Sequence, residues 1–162
     1  MFLIVTRNFP PDLGGIQSLM GGLCENLINH GPVKVFASEY INSKSYDDKS
    51  LASIERVKGI KLFKKYRKAL AVNNFIKTNK IRALIADHWK SLELIKKENL
   101  KKTKTFCLLH SKEINHDIDS LLNKRLIQST NKADFIIANS NFTKKLAINV
   151  GIDESKIHII FP

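Results

Sequence analysis

The sequence has few of the residues that build disulfide-rich, membrane-spanning or metal-dependent proteins. Its 162 residues include only 2 cysteines, Cys24 and Cys107, which lie far apart in separate apolar runs and suit small buried side chains better than a disulfide. The 5 histidines show no zinc-ligand spacing, so we predict no metal site and no cofactor. No apolar run is long enough to cross a bilayer, and the first residues do not resemble a secretory signal. We therefore expect a cytoplasmic protein.

Acidic residues are also scarce, with 15 Asp and Glu against 27 Lys and Arg and a net charge of +12. The excess lies in residues 56–104, which contain 16 basic and 3 acidic residues, whereas the rest of the chain is nearly neutral. Five basic side chains flank the apolar Leu62, Phe63 and Tyr66: Lys61, Lys64, Lys65, Arg67 and Lys68. Such a patch suits an anionic membrane surface, where each cation contributes on the order of 1 kcal/mol. We predict peripheral binding at the inner membrane face; the alternative is a solvated basic face.

Apolar runs and periodicities predict an α/β fold. Residues 2–6 form a continuous apolar run typical of a buried strand, and apolar residues of 16–28 then recur at helical spacing. Gly31 and Pro32 end that helix before a strand at 33–37. A loop is predicted at 38–53, strands at 57–63, 83–86, 105–109, 134–138 and 157–161, and helices at 66–79, 91–98, 117–132 and 142–150. This alternation predicts one domain, residues 1–162, with a doubly wound, mostly parallel, Rossmann-like sheet.

Polar clusters follow the predicted strands and should meet at one edge of the sheet, where such folds bind ligands. The first cluster holds Gly14, Gly15 and Gln17 at a predicted helix start, whose unpaired N–H groups favour an anion. The other candidate substrate-binding residues are Asp87, His88, His110, Ser111, Glu113, Asn139 and Ser140. Two structural alternatives stay open, namely that Ser140 only caps a helix and that His88 only packs beside Trp89. The basic residues of 56–104 are expected to lie mainly away from this edge.

Three stretches resemble the N-terminal domain of retaining glycosyltransferases of family 4, which have the two-domain GT-B fold. They are Phe9-Pro10-Pro11 with Gly14-Gly15-Ile16, then His110 with Glu113, and finally Ile137 to Lys144 with Gly151-Ile152 and Lys156-Ile157. The similarity spans nearly the entire chain. The sequence departs from the family pattern at Pro32 and Ser111, where histidine and glycine are common.

The resemblance implies transfer of a sugar from a nucleotide-sugar to a sugar or lipid-linked acceptor, with retention at the anomeric carbon. It implies a catalytic role for His110, which would hydrogen-bond the donor sugar or position a carbonyl group near the anomeric carbon. In such enzymes the nucleotide and an E-x7-E motif belong to a second domain, and no two glutamates here are eight residues apart. We therefore expect residues 1–162 to be the acceptor-side half of the enzyme, inactive alone, with the donor-binding domain absent. The alternative is a non-catalytic basic α/β module for nucleic acid or anionic surfaces, which no recognised nucleic-acid motif supports.

Overall fold

The computed structural model describes residues 1–161, without the side chains of Lys61 and Leu62. Within this range seven strands form one sheet in the order β3-β2-β1-β4-β5-β6-β7. They are β1 (Phe2–Val5), β2 (Val33–Ser38), β3 (Ser53–Val57), β4 (Ala83–Ala86), β5 (Lys104–Leu109), β6 (Phe135–Ala138) and β7 (Ile157–Ile159). Every strand pair is parallel. The predicted doubly wound sheet is confirmed, and its strand order reverses between β1 and β4.

Helices connect the strands across both faces of the sheet. Those within residues 1–161 are α1 (Gly15–Ile28), α2 (Ser43–Asp47), α3 (Lys61–Thr78), α4 (Trp89–Leu92), α5 (Leu121–Thr130) and α6 (Asn141–Asn149). Short 3-10 turns lie at Lys97–Leu100, Ser111–Glu113 and Glu154–Lys156. No helix in this part of the chain combines the length and apolar character needed to span a membrane.

Each face of the sheet has its own core because successive side chains of a strand point to opposite sides. Leu3 and Val5 pack into the core that α3, α4, α5 and α6 cover. Phe2 and Ile4 pack on the other face, mainly against α1. On this second face, α1 leaves an apolar groove over β4, β5 and β6 among the described residues.

Two predictions around residues 38–63 are wrong. The predicted strand at 57–63 instead holds the last residue of β3, a short connection and the start of α3, to which Lys61 belongs. The predicted loop contains α2, where the Asp47 carboxylate lies 2.7 Å from the Arg56 guanidinium. That long-range ion pair holds a segment whose local sequence indicates only a loop.

Two predicted helices are shorter in the structure. The helix expected at 91–98 is replaced by α4 and a 3-10 turn, because Lys132 Nζ donates to the carbonyl oxygens of Leu92, Glu93 and Ile95. The helix expected at 117–132 begins only after Ser120, whose side chain accepts a hydrogen bond from Asn123 N. Ile118, before this helix, and Leu121, at its first position, are exposed.

Candidate active site

Asp87 joins the carboxyl ends of β1 and β4, where the strand order reverses. Its Oδ2 accepts hydrogen bonds from Thr6 Oγ1 and Arg7 N, both at 2.8 Å, and its Oδ1 accepts one from Ser91 Oγ at 2.6 Å. The residue is only 1% exposed. Both carboxylate oxygens therefore have protein partners that position the loop after β1, and a substrate contact of Asp87 stays a prediction.

His88 is also buried beneath the edge of the sheet, with 3% of its surface exposed. Its Nδ1 accepts a hydrogen bond from Lys90 N at 2.9 Å and so caps α4. Its Nε2 lies 2.5 Å from Glu113 Oε2, and its ring packs 5.4 Å from the ring of Trp89. His88 does pack beside Trp89, as the structural alternative expects, and a substrate contact of His88 stays a prediction.

The half-buried Glu113 links the segment after β5 to β4 through His88. Burial acts to raise the pKa of Glu113, but the hydrogen bond from His88 and the positive charge of Arg7 act against it. The pKa of Glu113 therefore lies below the ordinary 4.5. A charged carboxylate fixed in this way holds the two strand ends together.

His110 follows β5 directly and keeps one ring nitrogen available. Its Nε2 lies 3.1 Å from the backbone oxygen of Asp87. Because a carbonyl oxygen can only accept, Nε2 carries the proton, and in a neutral ring Nδ1 is an acceptor. His110 lines the apolar groove together with Gly15 and Asn139.

The groove has a volume of about 760 Å³, and α1 begins at its rim. Gly14 adopts a φ of 155°, which residues with side chains rarely adopt, and no side chain caps the helix. A Cβ added at Gly15 would meet no atom within 4 Å, so the space above it is open. The predicted helix start at these glycines is confirmed, with backbone N–H groups accessible to a ligand.

The other predicted substrate-binding residues make local contacts at the same edge. Gln17 Nε2 donates to Asp12 Oδ2 at 2.6 Å, and Asn139 Oδ1 accepts from Thr143 Oγ1 at 2.7 Å. Ser140 Oγ accepts from Thr143 N at 3.1 Å, which confirms that Ser140 caps α6. The half-buried Ser111 lies in the 3-10 turn after His110. Substrate contacts of these residues and of Glu113 stay predictions.

The basic residues around the start of α3 do not form one exposed patch. Lys68 is 7% exposed, and its Nζ donates to Thr6 O at 2.5 Å and to Ser38 Oγ at 3.1 Å. Burial lowers the pKa of Lys68 to about 8, with Asp87 opposing the shift. A membrane or anion contact of Lys68 stays a prediction, and this side chain is buried beside Thr6 and Ser38. Arg67 is exposed and donates to Lys58 O, whereas the Lys61 side chain lies outside the described residues.

A second cavity, of about 620 Å³, opens at the carboxyl ends of β1, β2 and β4. Six basic residues line it: Arg7, Lys64, Lys65, Lys68, Lys90 and Arg125. The expectation that basic residues lie mainly away from this edge is wrong for these lysines of α3. Sequence reasoning missed Lys90 and Arg125, which reach the cavity from α4 and α5. The sequence did indicate that Lys68 points inward, because it continues the helical spacing of the apolar residues Val72 and Ile76.

The remaining chemistry-bearing residues add no further site within residues 1–161. No group of three His, Cys, Asp or Glu side chains in this range is arranged to hold a metal ion. Cys24 and Cys107 are buried free thiols, as predicted. Burial, with the charge of Glu25, raises the pKa of Cys24 to about 11, so this thiol is unreactive at neutral pH.

The domain is an open parallel sheet with a glycine-rich helix start and a histidine at its carboxyl edge. These features are typical of Rossmann-like domains, which bind ligands at this edge. A profile described as Glycosyltransferase Family 4 matches residues 13–162. The chain belongs to glycosyltransferase family 4, which confirms the resemblance in its sequence motifs. No protein of curated function matches the sequence.

Solved GT-B structures share the fold over 99% of the chain. HepE of Anabaena in complex with UDP is 14% identical, with a TM-score of 0.72, and the chain covers 43% of it. The apo lipopolysaccharide outer core galactosyltransferase WaaB is 14% identical, with a TM-score of 0.69 and 45% covered. A glycosyltransferase from Rickettsia africae ESF-5 is 17% identical, with a TM-score of 0.66 and 42% covered. The chain thus spans less than half the length of these proteins, and the likeness establishes its fold.

Proposed function

We propose that this chain forms the acceptor-side domain of a retaining glycosyltransferase that moves a sugar from a nucleotide-sugar to an acceptor. The observation that carries the proposal is the meeting of His110 with the open helix start at Gly15 along one groove. Membership of family 4 supports sugar transfer. A nucleotide-sugar donor is supported by the Anabaena HepE structure, which was solved in complex with UDP-glucose.

The residues of the groove suit the charges that develop during sugar transfer. Backbone N–H groups at the start of α1 stabilise the departing diphosphate, as helix N-termini do for anions. His110 Nδ1 accepts a hydrogen bond from a hydroxyl of the donor sugar, while the bond from Nε2 to Asp87 O fixes the ring. The pair of His88 and Glu113 keeps this segment against β4, so the histidine is preorganised for the reaction.

A second domain supplies most of the donor site in this proposal. The chain covers 43% of HepE, which leaves room in such proteins for a further domain. The groove beside α1 exposes apolar side chains of β5 and of Phe161, which is 66% exposed. Exposed apolar surface of this kind is typical of an interaction site. We expect little transfer activity from residues 1–162 without that domain.

A lipid-linked acceptor at the cytoplasmic membrane face is the finer form of the proposal. Phe63 and Tyr66 are 58% and 53% exposed, and the exposed Lys65 and Arg67 lie beside them on α3. Aromatic and basic side chains together suit an anionic bilayer surface. We expect the protein to sediment with phosphatidylglycerol vesicles and not with phosphatidylcholine vesicles at low salt. Equal sedimentation with both would contradict the membrane role.

The test of sugar transfer uses the protein as its gene encodes it, including any residues that follow Pro162. Sugars linked to UDP, GDP or ADP are supplied with saccharide and lipid-linked acceptors, and mass spectrometry follows the gain of one sugar. We expect transfer with retained anomeric configuration by NMR, and a rate about 100-fold lower in His110→Ala. His30→Ala, at an exposed histidine after α1, is the matched control. Failure to transfer from every donor would contradict the proposal.

A further inference from the structure

The cavity beside Lys68 gathers positive charge from separate parts of the chain. Its basic residues come from the loop after β1, from α3, from α4 and from α5: Arg7, Lys64, Lys65, Lys68, Lys90 and Arg125. Residues that are far apart in sequence converge here at the point where the strand order reverses. Open α/β sheets bind their ligands at this point.

Three acidic residues line the same cavity, and one of them neutralises the cavity's own Arg125. Glu93 pairs with Arg125 at 2.6 Å, Glu39 pairs with Lys58 at 3.5 Å, and Asp12 accepts a hydrogen bond from Gln17 at 2.6 Å. Among the described side chains, no carboxylate lies within ion-pair distance of Arg7, Lys64, Lys65 or Lys90. The cavity therefore keeps an uncompensated positive charge.

Lys68 holds a rigid ammonium group at the wall of this cavity. Two of its three N–H donors go to Thr6 O and Ser38 Oγ, which leaves one donor for a ligand. Burial lowers the pKa of Lys68, and it also lowers the pKa of Lys90, with Arg7 adding to both shifts. A bound anion would relieve this electrostatic cost.

We infer that the cavity binds the phosphate or diphosphate group of the acceptor substrate, which rests on the acceptor role proposed above. The volume of about 620 Å³ is enough for such a group and an attached sugar. Hydrogen bonds connect the cavity to the groove, because Lys68 binds Thr6, Thr6 binds Asp87, and Asp87 binds His110. The cavity lies on the α3 face of the sheet and the groove on the α1 face, so an acceptor anchored by its phosphate would have to extend across the carboxyl edge at Asp87 to reach His110.

The first test measures binding of inorganic pyrophosphate by titration calorimetry. Lys64→Ala/Lys65→Ala removes two cavity lysines and should weaken binding by about 100-fold, at about tenfold per charged hydrogen bond. Lys77→Ala/Lys80→Ala removes the same charge from exposed positions at the far end of α3 and should leave the affinity within about twofold. Circular dichroism checks that both variants fold. Equal weakening in the two variants, or no binding by the wild type, would overturn the inference.

A second set of measurements identifies the source of the phosphate. Displacement of the protein from phosphatidylglycerol vesicles by pyrophosphate supports binding of a lipid phosphate in the cavity. Pyrophosphate binding without vesicle binding supports a soluble phosphorylated acceptor. Tight binding of a single-stranded oligonucleotide that pyrophosphate fails to displace would overturn the inference in favour of a nucleic-acid surface.

The inference and the proposed function can fail separately. Specific pyrophosphate binding in a protein that transfers no sugar would support the cavity and contradict the glycosyltransferase role. Sugar transfer that Lys64→Ala/Lys65→Ala leaves unchanged would support the enzyme and overturn the phosphate site. Competition between UDP and pyrophosphate for binding to the wild-type protein would assign the cavity to the donor diphosphate. That result would overturn its acceptor role.

Discussion

Lys68 carries a buried ammonium group whose effect on stability depends on pH. Burial is the largest cause that lowers its pKa from 10.5 to about 8. The folded protein therefore releases this proton at a lower pH than the unfolded chain does. Between these two pKa values the unfolded chain binds more protons, so the free energy of unfolding rises with pH.

The size of the effect follows from the shift. Each pKa unit corresponds to about 1.4 kcal/mol, so the contribution of Lys68 should become about 2–3 kcal/mol more favourable between pH 7 and pH 10. Lys68→Met abolishes this titration. The difference in free energy of unfolding between wild type and Lys68→Met should therefore shift by about 2–3 kcal/mol in favour of the wild type over that range.

Urea unfolding followed by the fluorescence of Trp89, the single and fully buried tryptophan, provides the measurement. Lys77→Met removes an exposed lysine from the same helix and controls for the general loss of positive charge. Comparing the two variants at each pH isolates the buried ammonium group. A difference between Lys68→Met and Lys77→Met that stays constant from pH 7 to pH 10 would refute the reasoning.

Three further predictions concern the edge of the sheet. Gly15→Ala should leave the free energy of unfolding within about 0.5 kcal/mol and lower the rate of sugar transfer, because its methyl group enters open space above the helix start. Thermal unfolding and turnover measurements check this against Gly22→Ala, whose Cβ also meets no atom within 4 Å. Asp87→Asn should destabilise the fold by about 2–4 kcal/mol in urea, since an amide cannot accept all three hydrogen bonds that Asp87 receives. Glu113→Gln should cost about 1 kcal/mol at pH 7, and this cost should disappear as the pH falls through the lowered pKa of Glu113, as unfolding at pH 7 and pH 3 would show.

The sheet could be predicted because β1, β4 and β6 are continuous apolar runs and a polar turn follows each of them. Gly31 and Pro32 follow the end of the first helix, as predicted. The strands β1, β4, β5 and β6 lie close to their predicted positions. The end of α4 could not be predicted, because Lys132 reaches its carbonyl groups from beyond β5. Local patterns carry no information about such distant partners.

The candidate site was predictable in its location and less so in its chemistry. Parallel strands bring their carboxyl ends to one edge, so the order of polar residues along the chain predicts their meeting. Asp87 and His88 contact Thr6 and Glu113, which are distant in sequence, so local patterns could not predict these partners. The inward direction of Lys68 was readable from its spacing to Val72, although its charge favoured a surface position.

The most direct test of the central claim compares steady-state kinetics of two variants of the gene-encoded protein. We predict that His110→Ala lowers kcat about 100-fold with little change in the KM for a phosphorylated acceptor. Lys64→Ala/Lys65→Ala should raise that KM about 100-fold and leave kcat unchanged. The same loss of kcat in both variants, or an unchanged acceptor KM in the lysine variant, would contradict an acceptor-binding domain with His110 at its reactive edge.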